Sequence, residues 1–158
     1  MKPLAVFDVD GVLADVRHRL HHLQGRPKDW DAFFRAAVED PPLAEGIALC
    51  QESAKECEVV YVTGRPEHCR RDTLAWFAAQ GLPPGRLSMR RAGDRRPARL
   101  AKPQLLRSLA NDRVVAIVVD DDEQVCDAYE AAGWPVMRAR WMDTAPLLRE
   151  AQESEGRT

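Results

Sequence analysis

No apolar stretch in the 158 residues approaches the length needed to cross a bilayer, and the LAVF run near Met1 is too short for a signal h-region and lacks a cleavage site. Membrane insertion and secretion are therefore not expected, and the expected compartment is the cytoplasm. Cysteine is sparse. Cys50, Cys57, Cys69 and Cys126 form no CxxC pair and have no histidine at zinc-ligand spacing. They read as reduced thiols of an intracellular protein, without a disulfide framework. An excess of either charge is missing too: 23 basic against 25 acidic residues leave a formal charge of -2. No global field announces nucleic acid or membrane, so any such partner must be met by a local patch. Internal repeats and low-complexity linkers are likewise absent.

What is present alternates. LAVF before Asp8, EVVYV before Thr63, RLSM at 86–89, VVAIVV before Asp120 and PVMRA after Gly133 read as short buried strands. Between them EGIALCQESAKE, PEHCRRDTLAWFAAQ, KPQLLRSLA and DEQVCDAYEAA read as helices, the second opened by Pro66 and closed by Gly81. Short links between strand and helix predict an α/β fold: a parallel sheet with helices on both faces and right-handed crossovers. The length suits one domain, placed at 1–150, with 151–158 (AQESEGRT) as a flexible tail.

One stretch breaks the alternation. Residues 15–43 read as two short helices around a GRP turn, inserted between the first strand and its return helix, and form a candidate cap. Trp30, Phe33 and Phe34 are expected to anchor it by packing. His18, His21 and His22 have no partner group at ligand spacing and read as a partly exposed helix face.

The polar residues fall at the strand ends where ligands of open parallel sheets bind. Asp8 and Asp10 close the first strand, Thr63-Gly64-Arg65 the second, and Asp120 and Asp121 the fourth. Carboxylates crowded at strand ends repel one another unless a cation or substrate lies between them. An all-oxygen site with few carboxylates suits Mg²⁺, which keeps several waters and takes phosphate oxygens. The DDD run at 120–122 also has a plainer reading as a helix cap.

In order, FDVDGV, VTGR, Lys102 and VVDDD resemble the four motifs of the haloacid dehalogenase (HAD) superfamily of phosphotransferases. The resemblance implies a Rossmann-like HAD fold with a small helical cap. It implies Asp8 as the nucleophile that forms an aspartyl-phosphate, and Asp10 as general acid and then base. Thr63 would hydrogen-bond the phosphoryl group, and Lys102 would stabilise the charged intermediate. Asp8, the Asp10 carbonyl and Asp120 or Asp121 would hold Mg²⁺.

From about Val6 to Arg140 the chain is similar to the phosphatase domain of phage-type polynucleotide kinase, which acts on nucleic-acid 3′ ends. Arg19, Arg65 in its [ST]GR, GDRRPARLAK and DDDEQVCDAYEAAG carry the likeness. It implies substrate contacts from Gly64, Arg65, Arg19 and Arg96. The chain departs from that pattern at Asp122, where the family usually has Arg, and at Ala98 and Arg99, where it has acidic residues. Independently, RLSMRRAGDRRPAR carries six arginines against one aspartate, a density that can follow a phosphodiester backbone or form a solvated loop. No GxxxxGK[ST] occurs, so the kinase half of the bifunctional enzyme is missing from this sequence. The expected function is a Mg²⁺-dependent phosphatase of polynucleotide 3′ ends, fitting nucleic acid repair beside a separate kinase or ligase. A small-molecule, nucleotide-type phosphatase and a non-catalytic phosphate- or nucleic-acid-binding module are the competing readings.

Overall fold

Apolar runs without polar alternation can be satisfied only by burial on both faces, and the chain provides it. The computed structural model describes residues 1–143 and 145–158. Its five strands are β1 (Leu4–Phe7), β2 (Glu58–Pro66), β3 (Leu87–Arg90), β4 (Val115–Asp120) and β5 (Val136–Arg138). They form one sheet in the order β3-β2-β1-β4-β5, with every pairing parallel. The helices are α1 (Trp30–Arg35), α2 (Ala44–Ser53), α3 (Arg70–Ala79), α4 (Ala98–Ala110), α5 (Glu123–Ala131) and the short α6 (Pro146–Arg149).

The period-2 alternation of the central strands splits the core in two. Ala5, Phe7, Val59 and Tyr61 face a cluster with Cys50 of α2 and Trp76 and Phe77 of α3. Leu4, Val6, Val60 and Val62 face the opposite cluster, with Leu106 and Ala110 of α4 and Val125 and Tyr129 of α5. Helices therefore cover both faces, as the alternating sequence predicts. Helix α4 starts at Ala98, four residues before the Lys102 of the sequence reading, and runs through Pro103. Lys102 consequently sits on a formed helical face.

Residues 15–43 fold as an inserted cap made of a 3₁₀ stretch (Arg17–Leu23), α1 and a second 3₁₀ turn (Ala36–Glu39). Its exit is tied to the β1 loop by backbone bonds from Asp15 to Pro41 (2.8 Å) and from Leu43 to Leu13 (2.8 Å). Phe33 and Phe34 are buried with Trp30 stacked beside them, so the aromatics serve as packing anchors. All four cysteines are free. Among the described residues no helix is long and apolar enough to cross a membrane.

The sequence reading expects a flexible tail at 151–158, but from Glu150 to Thr158 the chain folds back on the molecule. Glu150–Ser154 make a wide helical turn, and Ala151, Gln152 and Thr158 are buried. Glu153 pairs with Arg99 (2.9 Å), Glu155 with Lys28, and the Arg157 guanidinium lies 4.6 Å over the Trp30 ring. Such a run of charges reads as solvated in isolation. It meets opposite charges here, Arg99 on α4 and Lys28 in the cap.

Candidate active site

Strand order explains why the motifs meet. β2, β1 and β4 are neighbours, so the residues at their carboxyl ends converge without help from long loops. After β1 the chain turns sharply: the amides of Val12, Leu13 and Ala14 all reach the Val9 carbonyl, which leaves Asp8 and Asp10 buried on the same side. Gly11 takes φ +83° in this turn.

Two charge clusters result. In the first, one carboxylate oxygen from each of Asp8, Asp120 and Asp121 lies within 4.8 Å of the others. The Lys102 ammonium enters from α4 and lies 3.0 Å from Asp8 Oδ1 and 2.8 Å from Asp120 Oδ2. Asp120 Oδ1 accepts the Asp122 amide at 3.0 Å. Asp8 Oδ2 and Asp121 Oδ1 are buried and find no hydrogen-bond partner among the described residues. Three carboxylates against one ammonium leave a formal deficit that a divalent cation would cancel, and the two orphaned oxygens are the lone pairs available to it. The residues present thus fit Mg²⁺.

The electrostatics agree. Burial, reinforced by Asp120, pushes the Asp8 carboxyl up to about 7. Burial and the Asp8 charge hold Asp121 well above the usual carboxylate range. Burial opposes the charge on Lys102, but Asp120 and Asp8 outweigh it and keep the ammonium well above its ordinary value.

The second cluster surrounds Asp10. Burial alone would raise its carboxyl, but Arg65 and then Arg19 pull it well below the usual range. Arg65 donates to Asp10 Oδ1 from Nη2 (2.6 Å) and Nε (3.0 Å), and Arg19 from Nη2 (3.0 Å). The other oxygen accepts the Thr158 hydroxyl at 2.9 Å. Thr63 is buried, and its hydroxyl accepts the Arg65 amide at 3.2 Å. Gly64 is packed so closely that a Cβ there would stand 2.2 Å from the Thr158 backbone.

Of the residues singled out in the sequence, Asp8, Asp10, Arg19, Thr63, Gly64, Arg65, Lys102, Asp120 and Asp121 are brought to this one end of the sheet. Arg96 lies apart: its side chain is exposed and forks onto Asp94 (2.8 and 3.1 Å) and Gln104. The DDD run divides its labour, since Asp122 is the α5 cap, accepting from Gln124 (2.9 Å) and Val125 (3.4 Å), while its two predecessors join the cluster.

Two further residues carry no motif. Asp40, from the cap exit, pairs with both Arg19 and Arg65. Arg90, grouped in the sequence with the strand-following arginines, is wholly buried and donates to the Gly64 carbonyl (3.1 Å) and the Arg96 carbonyl (2.7 Å). It ties the basic loop to β2. Only its position at the end of a buried strand could have flagged it.

Comparison with known proteins matches residues 3–143 to the family model described as the polynucleotide kinase PNKP phosphatase domain. No curated protein sequence matches. Among solved structures, two of Pnkp1/Rnl/Hen1 assemblies, one titled an RNA repair complex, align with TM-scores of 0.71 and 0.72 at 21% identity. The alignments cover 90% of this chain and 44% and 48% of those chains, so the chain spans less than half their length. The class C acid phosphatase from Bacillus anthracis aligns at TM-score 0.62 and 14% identity over 89% of this chain and 68% of that one. At these identities the structures establish a shared HAD-type fold, and the family match over nearly the whole sequence establishes more: the chain belongs to the PNKP phosphatase-domain family of HAD-type phosphatases.

Proposed function

We propose that this chain is a Mg²⁺-dependent phosphomonoesterase that works through an aspartyl-phosphate on Asp8 and acts on 3′-phosphate ends of polynucleotides. The observation that carries the reading is Asp8 itself. One of its oxygens is engaged by Lys102 and the other is buried with no hydrogen-bond partner among the described residues. In this reading an Asp8 oxygen attacks phosphorus, the bond from phosphorus to the ester oxygen breaks, and that oxygen leaves with a proton from Asp10, which must first take one up against the pull of Arg65 and Arg19. Asp10 then takes a proton from the water that hydrolyses the acyl phosphate. Arg19 and Arg65 hold its carboxylate in place between the two steps.

Asp8 and Asp121 would supply unpartnered lone pairs for Mg²⁺, with Asp120 beside them already accepting from Lys102 and the Asp122 amide. Bound there, Mg²⁺ would offset repulsion between the anionic nucleophile and the phosphate. Thr63 at the β2 end would donate its hydroxyl to the phosphoryl group, and a phosphate beside Gly64 would take the space that the Thr158 backbone fills in this structure.

The polynucleotide substrate is supported by the family match and by exposed Arg91 and Arg95 on the loop after β3. The similarity to a chain of the Pnkp1/Rnl/Hen1 RNA repair complex is consistent with a separate kinase or ligase as partner. The test is a panel of 3′- and 5′-phosphorylated oligonucleotides, mononucleotides and an aryl phosphate, with Mg²⁺ and with chelator. Preference for the 3′-phosphorylated oligonucleotide is expected. Preference for mononucleotides would replace the polynucleotide with a small-molecule substrate, and full turnover in excess chelator would remove the metal.

A further inference from the structure

Asp40 belongs to the cap rather than to any strand end, yet its side chain is completely buried at the foot of the site. Its carboxylate forks onto Arg19, with Nε at 2.8 Å from Oδ1 and Nη2 at 3.0 Å from Oδ2. Oδ2 also accepts Arg65 Nη2 at 3.1 Å, and Oδ1 lies 2.6 Å from His18 Nε2. The Nη2 atoms of both arginines are therefore shared between Asp40 and Asp10. Each remaining Nη1 is fixed elsewhere: Arg19 to the Phe33 carbonyl (3.3 Å) and Arg65 to the Thr73 hydroxyl (3.1 Å).

Resting on the aspartyl-phosphate reading above, we propose that Asp40 is a positioning residue: it locks Arg19 and Arg65 into the one arrangement in which both guanidiniums converge on Asp10. Three physical features support the assignment. Two guanidiniums and two carboxylates make a neutral buried quartet, whereas Asp10 alone would face two positive charges. A bidentate fork fixes the plane of a guanidinium in a way that a point contact cannot. The Asp40 backbone is held independently of its carboxylate, by its amide on the Ala37 carbonyl (3.1 Å) and by Trp76 Nε1 on its own carbonyl (2.9 Å). The side chain can thus be changed without freeing the chain that carries it. The cap, on this account, contributes an arm of the catalytic geometry as well as a cover.

The test compares Asp40→Asn and Arg19→Lys with the unmodified chain on two substrates, an aryl phosphate with a good leaving group and a 3′-phosphorylated oligonucleotide with a poor one. A misplaced Asp10 harms the ester that needs its proton most. Turnover of the oligonucleotide is expected to fall about 100-fold and that of the aryl phosphate less than about 10-fold, the scale of a mispositioned acid. Arg19→Lys keeps the charge and loses the fork, so it should reproduce the same asymmetry and reads the proposal even if Asp40→Asn folds poorly. Equal losses on both substrates, or no loss with Arg19→Lys, would overturn the positioning role. An Asp8→Asn chain that keeps its turnover would instead overturn the reading beneath it, which keeps the two failures apart.

Discussion

Gly11 and Asp121 compete for one space: a Cβ built on Gly11 would stand 2.1 Å from Asp121 Oδ2. Gly11 also holds φ +83°, a region that an L side chain enters only with strain. Gly11→Ala should therefore displace the Asp121 carboxylate and open the turn that places Asp10. Turnover is expected to fall by roughly 100-fold, the scale of a misplaced catalytic geometry. Stability measured by thermal melting should fall by about 1–2 kcal/mol. Unchanged activity would show that Asp121 is free to move.

Asp8→Asn removes the nucleophile and one member of a repelling carboxylate group. Turnover is expected to fall by roughly 10⁴-fold or more. The melting temperature of the metal-free chain should rise, because burial opposes the charge that the amide lacks. A variant with appreciable turnover of aryl phosphate would end the covalent mechanism.

Metal-free stability should depend on pH with a definite sign. Burial raises the folded-state Asp8 to about 7, above its ordinary value, so its contribution is fully present at low pH and is lost as pH rises through 7. Asp122, raised to about 7 by burial and by Glu153, has the same sign. Asp10 is shifted the opposite way and contributes no loss in this window. The chain in chelator should therefore melt lower at pH 8 than at pH 5.5. Added Mg²⁺ should raise the melting temperature more at pH 8, where the ligands are deprotonated. Absence of a Mg²⁺ shift at pH 8 would remove the metal assignment.

The basic loop contains two kinds of arginine. Arg91 and Arg95 are exposed, whereas Arg90 is buried among carbonyls. Replacing Arg91 and Arg95 together with Ala should raise KM for a 3′-phosphorylated oligonucleotide and reduce the slope of log K against log salt by about 1.4, two single-strand phosphate contacts. Aryl phosphate turnover should not change. Arg90→Ala should act through the fold, costing about 1–3 kcal/mol in thermal melts by leaving carbonyls unpaired. Equal losses on both substrates in the Arg91/Arg95 variant would assign those residues to the site's support.

Much of the site is legible in the sequence because β2, β1 and β4 each announce their carboxyl end: an apolar run stops, and Asp8, Thr63 or Asp120 follows. Adjacency of those strands then does the assembly. Asp40 is not legible, since an acid in VEDPPL looks like any solvated loop residue until the cap folds and places it between Arg19 and Arg65. Arg90 is hidden for the opposite reason, being one of several arginines in a run whose burial depends on Gly64 and Arg96 lying above it. The fate of residues 150–158 is set by partners about 50 to 130 positions away, Arg99 and Lys28, which no local pattern can record.

Those same residues fill the place where the proposed function puts the phosphate. Thr158 bonds Asp10 and lies against Gly64, so under the proposed function a phosphate at Gly64 requires Thr158 to withdraw. An occupant tethered by a short segment acts at an effective concentration of roughly millimolar order, whatever the protein concentration. The apparent affinity for any substrate is then the intrinsic affinity divided by the fraction of molecules whose site stands open. Because the tether is anchored by Glu153 on Arg99 and Glu155 on Lys28, salt would have two opposed effects if the substrate is the proposed nucleic acid: it would loosen the tail as well as the nucleic acid.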